Sequence, residues 1–325
     1  MSDNTEFRKE LEERTKQINE QIESYLPEEK GHQKTIFEAM NYSVKAGGKR
    51  LRPLFMQEIC RLFTGEVQPV VVPFMAAIEM IHTSSLVHDD LPCMDDDMMR
   101  RGQASTWAEY GEDMGVLAGD ALMIYAFEVA AKAFKEVSDA DDLKRVGRAI
   151  EILASKTGIY GMIGGQTVDV ELAGGPIPKN KLDFIYRLKT GALIEASMLI
   201  GAVLGGAAEE DCKIVESLAG KVGLAFQIQD DILDVTGDQE VLGKEAGSDE
   251  KNQKTTYVTL EGLEKAKKDV EALSVQAIED LNKLPGNNEF LENLIRILIK
   301  RQKEKGRTYD IGTDKGAGRS EKIDL

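Results

Sequence analysis

Cysteine is scarce. Cys60, Cys93 and Cys212 are scattered over 325 residues, which excludes a disulfide framework and a thiolate zinc site and leads us to expect a reducing, cytoplasmic location. Basic charge is also in deficit: 41 Lys and Arg against 57 Asp and Glu leave a formal net charge of −16. A surface of that sign repels a phosphate backbone, so a general nucleic-acid binder is excluded and any anionic ligand needs a local cationic site. Long apolar runs are missing. The longest notable one, 196–208, is bracketed by Glu195 and Glu209 and falls well short of the roughly 20 residues that span a bilayer. The opening MSDNTEFRKELEERTKQ is charged and has no signal-peptide core. No stable membrane insertion is expected.

Period-2 alternation with β-branched enrichment is nearly absent, whereas apolar residues recur at three- and four-residue spacing along most of the chain. The class is therefore all-α. Hydrophobic residues make up 42% and charged residues 30% of the chain, enough apolar surface for a substantial core. Pro53 opens the periodic stretch RPLFMQEICRLF and Gly65 follows its end, while Gly174-Gly175-Pro176 separates two others. These breaks are short and no Ser/Pro-rich linker divides the chain. We expect one helical-bundle domain over residues 1–303, with its site in the middle. From residue 304 onward, EKGRTYDIGTDKGAGRSEKIDL lacks periodicity and is expected to be a flexible tail.

Two acidic segments stand out. LVHDDLPCMDDDMMRRG, 86–102, packs its aspartates just before Arg100 and Arg101; GLAFQIQDDILDV, 223–235, carries a second pair. An Asp-rich segment is most often solvated surface. If the second segment is helical, however, Gly223, Gln227, Asp230 and Asp234 form one polar stripe, and Leu224, Ile228, Ile232 and Val235 the apolar side. Carboxylates one turn apart repel, and a divalent cation between or near them offsets that cost. In the first segment His82, Ser85 and Asp89 share a helical face, Pro92 breaks the helix, and Asp95 can return towards Asp89. Oxygen-only ligands without a cysteine pattern favour Mg²⁺, which takes few carboxylates and leaves positions for water and phosphate oxygens.

The cations complete the pattern. GGKRLRP, 47–53, places three positive charges behind two glycines without Walker-loop spacing. Taken alone it reads as a solvated basic turn. Beside Mg²⁺-type carboxylates, Arg forks and Lys point charges suit diphosphate recognition, and Lys189, Lys244 and Lys254 lie near other breaks or helix ends. His82 by itself is more often a hydrogen-bonded core histidine, and Cys93, among carboxylates, is filler. Trp107, the one tryptophan, belongs to none of these patterns, and packing is its default reading.

In order along the chain, GGKRLRP, DDLPCMD followed by RRG, LKTGALIEAS, and FQIQDDILD followed by LGK and DEKNQKTTY resemble the full motif series of the trans-polyprenyl diphosphate synthases, in particular the bacterial farnesyl and geranylgeranyl diphosphate synthases. The resemblance covers about residues 30–303. It implies an isoprenoid-synthase-like helical bundle around a deep central cavity, a homodimer, and three Mg²⁺ ions. Carried over by position, it implies a first metal motif of Asp89, Asp90 and Asp95, with two ions on Asp89 and Asp95. The second motif is Asp230, Asp231 and Asp234, with the third ion on Asp230. Arg100, Lys189, Lys244 and Lys254 are implied to hold the allylic diphosphate. Lys49, Arg52, His82 and Arg101, beside Gly48, are implied to hold isopentenyl diphosphate.

The implied reaction is ionisation, condensation and elimination, with the Lys189 carbonyl, Thr190 and Gln227 stabilising the carbocation by dipoles. Two rivals are weighed against it. A class I terpene cyclase has no use for the GGKRLRP site and usually carries an Asn/Ser/Glu triad in place of DDILD. A non-catalytic subunit of a heteromeric prenyl synthase typically loses one Asp motif, and this chain keeps both. The farnesyl pattern usually has a bulky aromatic five positions before the first Asp. Here Ser84 stands there, followed by Ser85, roughly 7 to 8 Å down the helix from Asp89, and the small side chains favour geranylgeranyl over farnesyl diphosphate as product.

Overall fold

The computed structural model describes residues 2–236 and 255–299. Lys244, Lys254 and the expected tail, 304–325, lie outside the described residues. Helices dominate: α1 Ser2–Glu23, α2 Lys34–Lys45, α3 Leu51–Thr64, α4 Val72–Asp89, α5 Thr106–Tyr110, α6 Glu112–Ala131, α7 Ala140–Thr157, α8 Met162–Glu171, α9 Lys179–Ile185, α10 Ala192–Leu204, α11 Glu209–Thr236, α12 Tyr257–Glu261, α13 Leu263–Leu281 and α14 Glu289–Ile299. A π-helical segment, Tyr186–Gly191, joins α9 to α10. Among the described residues the one sheet is a hairpin of β1 Met99–Arg100 and β2 Gln103–Ala104.

The punctuation read from the sequence is where the helices end. Gly65 caps α3 in the left-handed region, φ 79°, where a Cβ is costly. The Gly174-Gly175-Pro176 break falls between α8 and α9. Burial selects the rest. Every residue of α10, ALIEASMLIGAVL, is buried, because it is packed against α3, α7 and α11. Gly201 makes the α3 contact possible, since a Cβ there would lie 2.3 Å from the Met56 carbonyl oxygen. The buried Glu195 on α10 is not left unpaired but meets Lys156 at 2.5 Å, as an interior charge requires. α4 packs chiefly on α6, and α11 on α13.

Two expectations change. The helical stretches Pro69–Asp89 and Glu112–Lys135 are long and apolar enough to cross a membrane by length and composition, although neither is an uninterrupted apolar run. For the first, 72% of the apolar window is buried inside the protein, against 39% for the second. On α11 the apolar side stops at Ile232, for Val235 is 54% exposed at the last turn of the helix.

One ion cluster ties α11 to α13. Asp280 accepts hydrogen bonds from Ser217 at 2.8 Å and from Lys283 at 2.7 Å, and also pairs with Lys221. Burial alone raises its pKa, but the hydrogen bonds from Lys221, Lys283 and Ser217 overcome that and hold it at about 2. A carboxylate depressed below its unfolded value of roughly 3.9 stabilises the fold above that pH and loses the contribution as pH falls towards 2. Asp280→Asn is therefore expected to cost about 2 kcal/mol at pH 6, with the difference from wild type shrinking below pH 4 in urea unfolding. An undiminished difference at pH 3 would assign the effect to packing instead.

Candidate active site

The site grows from the C-terminal end of α4. His82, Ser85 and Asp89 lie on its partly open face, whereas Thr83, Ser84 and Val87 are buried. Pro92 ends regular helix, and the chain folds back on itself. Met94 N–H donates to Leu91 O at 2.8 Å, Asp95 N–H to Asp89 O at 2.9 Å, and Asp97 N–H to Asp90 O at 3.1 Å. Asp96 takes φ 53° to make the turn. The return of Asp95 to Asp89 is thus built from backbone bonds. The hairpin that follows turns at Arg101 and Gly102, with φ 52° and 76°, the mirror-image conformation that two-residue hairpins favour. Tyr42 OH, donating to Ala104 O at 2.8 Å, ties this hairpin to α2.

Asp89 is flanked by groups the sequence reading missed. Gln166 on α8 donates its amide to Asp89 Oδ1 at 2.7 Å, and Asp169, one turn further along, receives Lys189 at 2.6 Å. The signal was present in GGQTVD, where two polar residues three apart share a helical face. Burial pushes the Asp89 carboxyl up to about 6, reinforced by Asp95 and Asp90 and opposed by Lys189 and Arg100. For Lys189 burial acts downward, but Asp169 and Asp89 hold the ammonium above its usual range.

Lys189 and Thr190 belong to the π-helical segment, a departure from α geometry that often marks functional positions. Two glycines let neighbouring helices approach it. A Cβ at Gly165 would sit 2.3 Å from the Lys189 nitrogen, and one at Gly223 on α11 would sit 3.1 Å from Gly191 Cα. At that close approach Thr190 Oγ1 donates to Gln227 Oε1 at 2.8 Å. The structure therefore brings Lys189, Thr190 and Gln227 together beside the first acidic segment, with Asp230 and Asp234 further along α11.

Three of the six grouped aspartates, Asp90, Asp231 and Asp234, are buried, at 2%, 4% and 3% exposure. Asp90 turns inward, and its carboxylate accepts Arg100 Nε at 2.9 Å and 3.2 Å. The Asp231 carboxylate accepts Tyr186 OH at 2.5 Å and the Tyr257 N–H at 2.8 Å. The turn of about 100° between adjacent helical positions already sets Asp89 and Asp230 apart from their DD neighbours, and packing adds the partners that Asp90 and Asp231 meet. Arg100, through Asp90 and Asp97 at 3.2 Å, is held by the acidic loop itself.

The basic turn divides its labour. Arg50, with φ 46°, is spent internally on Asn19, Glu79 and the Val44 carbonyl, each at 2.7 Å. Arg52 and Arg101 point elsewhere. Burial lowers the Arg52 pKa to about 10, with Glu79 opposing and Arg101 lowering it further, and the buried Arg52 Nε has no hydrogen-bond partner. Arg101 donates to the Gly47 carbonyl, and a Cβ on Gly48, whose φ is 135°, would meet its guanidinium at 3.0 Å. His82 is held well below the usual imidazole range by burial and, in order, by the charges of Arg52, Arg101, Arg50 and Arg100. Lys49, part-buried, lies in the same turn.

The donor set fits Mg²⁺. Among the described residues no three His, Cys, Asp or Glu side chains make a ready-made cage, and the available ligands are carboxylates such as Asp89 and Asp95. Mg²⁺ needs only one or two carboxylates when phosphate oxygens and water supply the rest.

An all-α fold with a buried arginine Nε left without a hydrogen-bond partner, an acidic loop and a π-helical Lys-Thr turn suits an anionic substrate of the diphosphate type. The chain belongs to the polyprenyl synthetase family, whose model matches residues 33–294. It is 45% identical over 247 residues to the chloroplastic geranylgeranyl pyrophosphate synthase of Catharanthus roseus, covering 76% of this chain and 68% of that one. Against the farnesyl diphosphate synthase of Escherichia coli K12 it is 39% identical over 303 residues, 92% of this chain and 100% of the other. The crystal structure of an FPP/GFPP synthase from Zymomonas mobilis superposes with a TM-score of 0.79 at 33% identity, over 91% of this chain and 99% of that one. The protein is a prenyltransferase of isoprenoid biosynthesis, in a family that is in general Mg²⁺-dependent and uses isopentenyl and allylic diphosphates.

Proposed function

We propose that this chain extends allylic diphosphates with isopentenyl diphosphate up to the C20 product, geranylgeranyl diphosphate. The observation that carries the two-diphosphate reading is the buried Arg52 Nε without a partner beside Arg101 and His82. Burying a donor unpaired is costly, and a diphosphate oxygen satisfies it. Arg52, Arg101, His82 and Lys49 hold isopentenyl diphosphate, with Gly48 giving the Arg101 guanidinium its room. Lys189 and Arg100, joined by Lys244 and Lys254, hold the allylic diphosphate. Asp89, Asp95 and Asp230 hold three Mg²⁺ ions, whose charge stabilises diphosphate as a leaving group.

The C–O bond of the allylic substrate breaks with its electron pair leaving on diphosphate. The Thr190 hydroxyl and the Gln227 carboxamide, already joined at 2.8 Å, present dipoles to the carbocation without a carboxylate that could trap it. The isopentenyl double bond attacks, and a proton passes from its C2 to diphosphate. Surrounding helices exclude the water that would quench the cation.

Two further readings belong to the proposal. The face of α6 carrying Val116, Leu117 and Ile124 is exposed, Ile124 at 71%, and supports a homodimer, since apolar patches of this kind mark association surfaces. Three free cysteines, Cys60 and Cys212 buried and Cys93 exposed, accord with a cytoplasmic location. Incubation of the purified chain with labelled isopentenyl diphosphate, each allylic starter and Mg²⁺ tests the whole. Cyclic hydrocarbon products would favour a terpene cyclase, and no turnover without another protein would favour a non-catalytic subunit.

The product-length test moves by one residue from the sequence expectation. Ser84 is fully buried, with an unpartnered hydroxyl, whereas Ser85 sits one turn below Asp89 on the open face, donating to the His82 carbonyl at 2.8 Å. Ser85→Phe is expected to shift the main product from C20 to C15, read by chromatography. Ser84→Tyr instead overpacks a filled site, a change that typically costs about 1–3 kcal/mol. Should Ser85→Phe leave chain length unchanged, the floor of the cavity is built by other helices.

A further inference from the structure

Trp107 is the second residue of α5, close to the acidic loop but outside the motifs of the site. Its indole Nε1 donates to the Asp97 carbonyl oxygen at 3.0 Å. Asp97 is the residue that closes the loop: its N–H donates to Asp90 O at 3.1 Å, and its carboxylate accepts Arg100 at 3.2 Å. The other end of the loop is anchored by Leu91, which is 4% exposed and whose carbonyl receives Met94 N–H at 2.8 Å and Asp96 N–H at 3.1 Å. Both ends meet over Gly115 of α6. A Cβ at that glycine would lie 2.9 Å from Trp107 Cβ and 3.0 Å from Leu91 Cδ2, so α6 gives up a side chain where the tryptophan and the leucine sit.

Between these two anchors the loop is open to solvent. Residues 93–99 are all exposed, and they include Asp95, which has no packing of its own to hold it opposite Asp89. An exposed segment held by few backbone bonds opens easily, and each tether restricts the arrangements it samples. Packing alone needs only a flat apolar ring at position 107. The indole N–H adds a directed bond to the carbonyl just beyond the Asp95 turn, and phenylalanine cannot supply it.

We propose that Trp107 is a positioning residue: its indole N–H fixes the Asp95–Asp97 arm of the acidic loop and thereby sets the affinity for allylic diphosphate with Mg²⁺, touching neither. This rests on the acidic loop being the allylic site proposed above.

The test compares Trp107→Phe, which keeps the ring, with Trp107→Ala, which loses ring and donor together. Binding of an unreactive thio-linked allylic diphosphate analogue in the presence of Mg²⁺, measured by calorimetry, is expected to weaken about three- to tenfold in Trp107→Phe, the scale of one hydrogen bond. The KM for the allylic substrate is expected to rise in step, with the KM for isopentenyl diphosphate within about twofold of wild type. Amide exchange across 91–98 is expected to quicken in the same variant. Unchanged analogue affinity in Trp107→Phe overturns the proposal. So does an equal rise in both KM values with a lower melting temperature, which marks a role in folding only. Asp89→Ala runs alongside. If it binds the analogue as tightly as wild type, the allylic-site reading itself falls; if it loses binding while Trp107→Phe does not, only the tether is wrong.

Discussion

Asp89→Ala is expected to lower turnover by about a thousandfold or more, because removing a ligand that neutralises a departing diphosphate forfeits several kcal/mol of transition-state stabilisation. Asp89 sits where burial holds its carboxyl at about 6, so the charged form is costly until a cation arrives. Its loss therefore leaves the fold intact, and circular dichroism should be unchanged. Asp230→Ala, on the polar stripe of α11, is expected to act alike. Asp90→Ala and Asp231→Ala are different in kind: they release Arg100 in one case and Tyr186 with the Tyr257 backbone in the other, and destabilisation accompanies any loss of rate. Near wild-type turnover of Asp89→Ala at saturating Mg²⁺ would remove the metal assignment.

Arg52→Ala has the second large effect. A charge-assisted hydrogen bond is worth about 1.5–3 kcal/mol, so the KM for isopentenyl diphosphate is expected to rise about 10- to 150-fold, with the allylic KM little altered. Arg52→Lys should recover part of the affinity, since it restores charge without the fork. Arg100→Ala is expected to show the opposite preference, through the acidic loop that holds it. Steady-state kinetics with each substrate varied in turn reads the split. Equal effects on both substrates would mean that the arginines do not distinguish two sites.

The acidic and basic motifs were legible in the sequence because they are written in residue types at fixed spacing. The Asp95 return followed from Pro92, and the Thr190–Gln227 pairing connects two motifs that the residue pattern had already marked. Gln166 and Asp169 were not legible, although GGQTVD is short and polar enough to notice, because nothing local says which face of α8 meets Asp89. The same limit applies to the division of Arg50 from Arg52. Two positions apart in one turn, they differ only in that Asn19 and Glu79, from distant segments, wait for Arg50.

The amino-acid sequence by itself determined the all-α class, the helix ends at Gly65 and at Gly174-Gly175-Pro176, and the chemistry of oxygen ligands with forked cations. These depend on periodicity, punctuation and functional groups, all local properties. Tertiary structure alone decided how Arg50 and Arg52 divide their roles, which face of α8 meets Asp89, and what Trp107 touches. Those outcomes depend on side chains that distant segments bring across an interface, and no local pattern records which segments will meet.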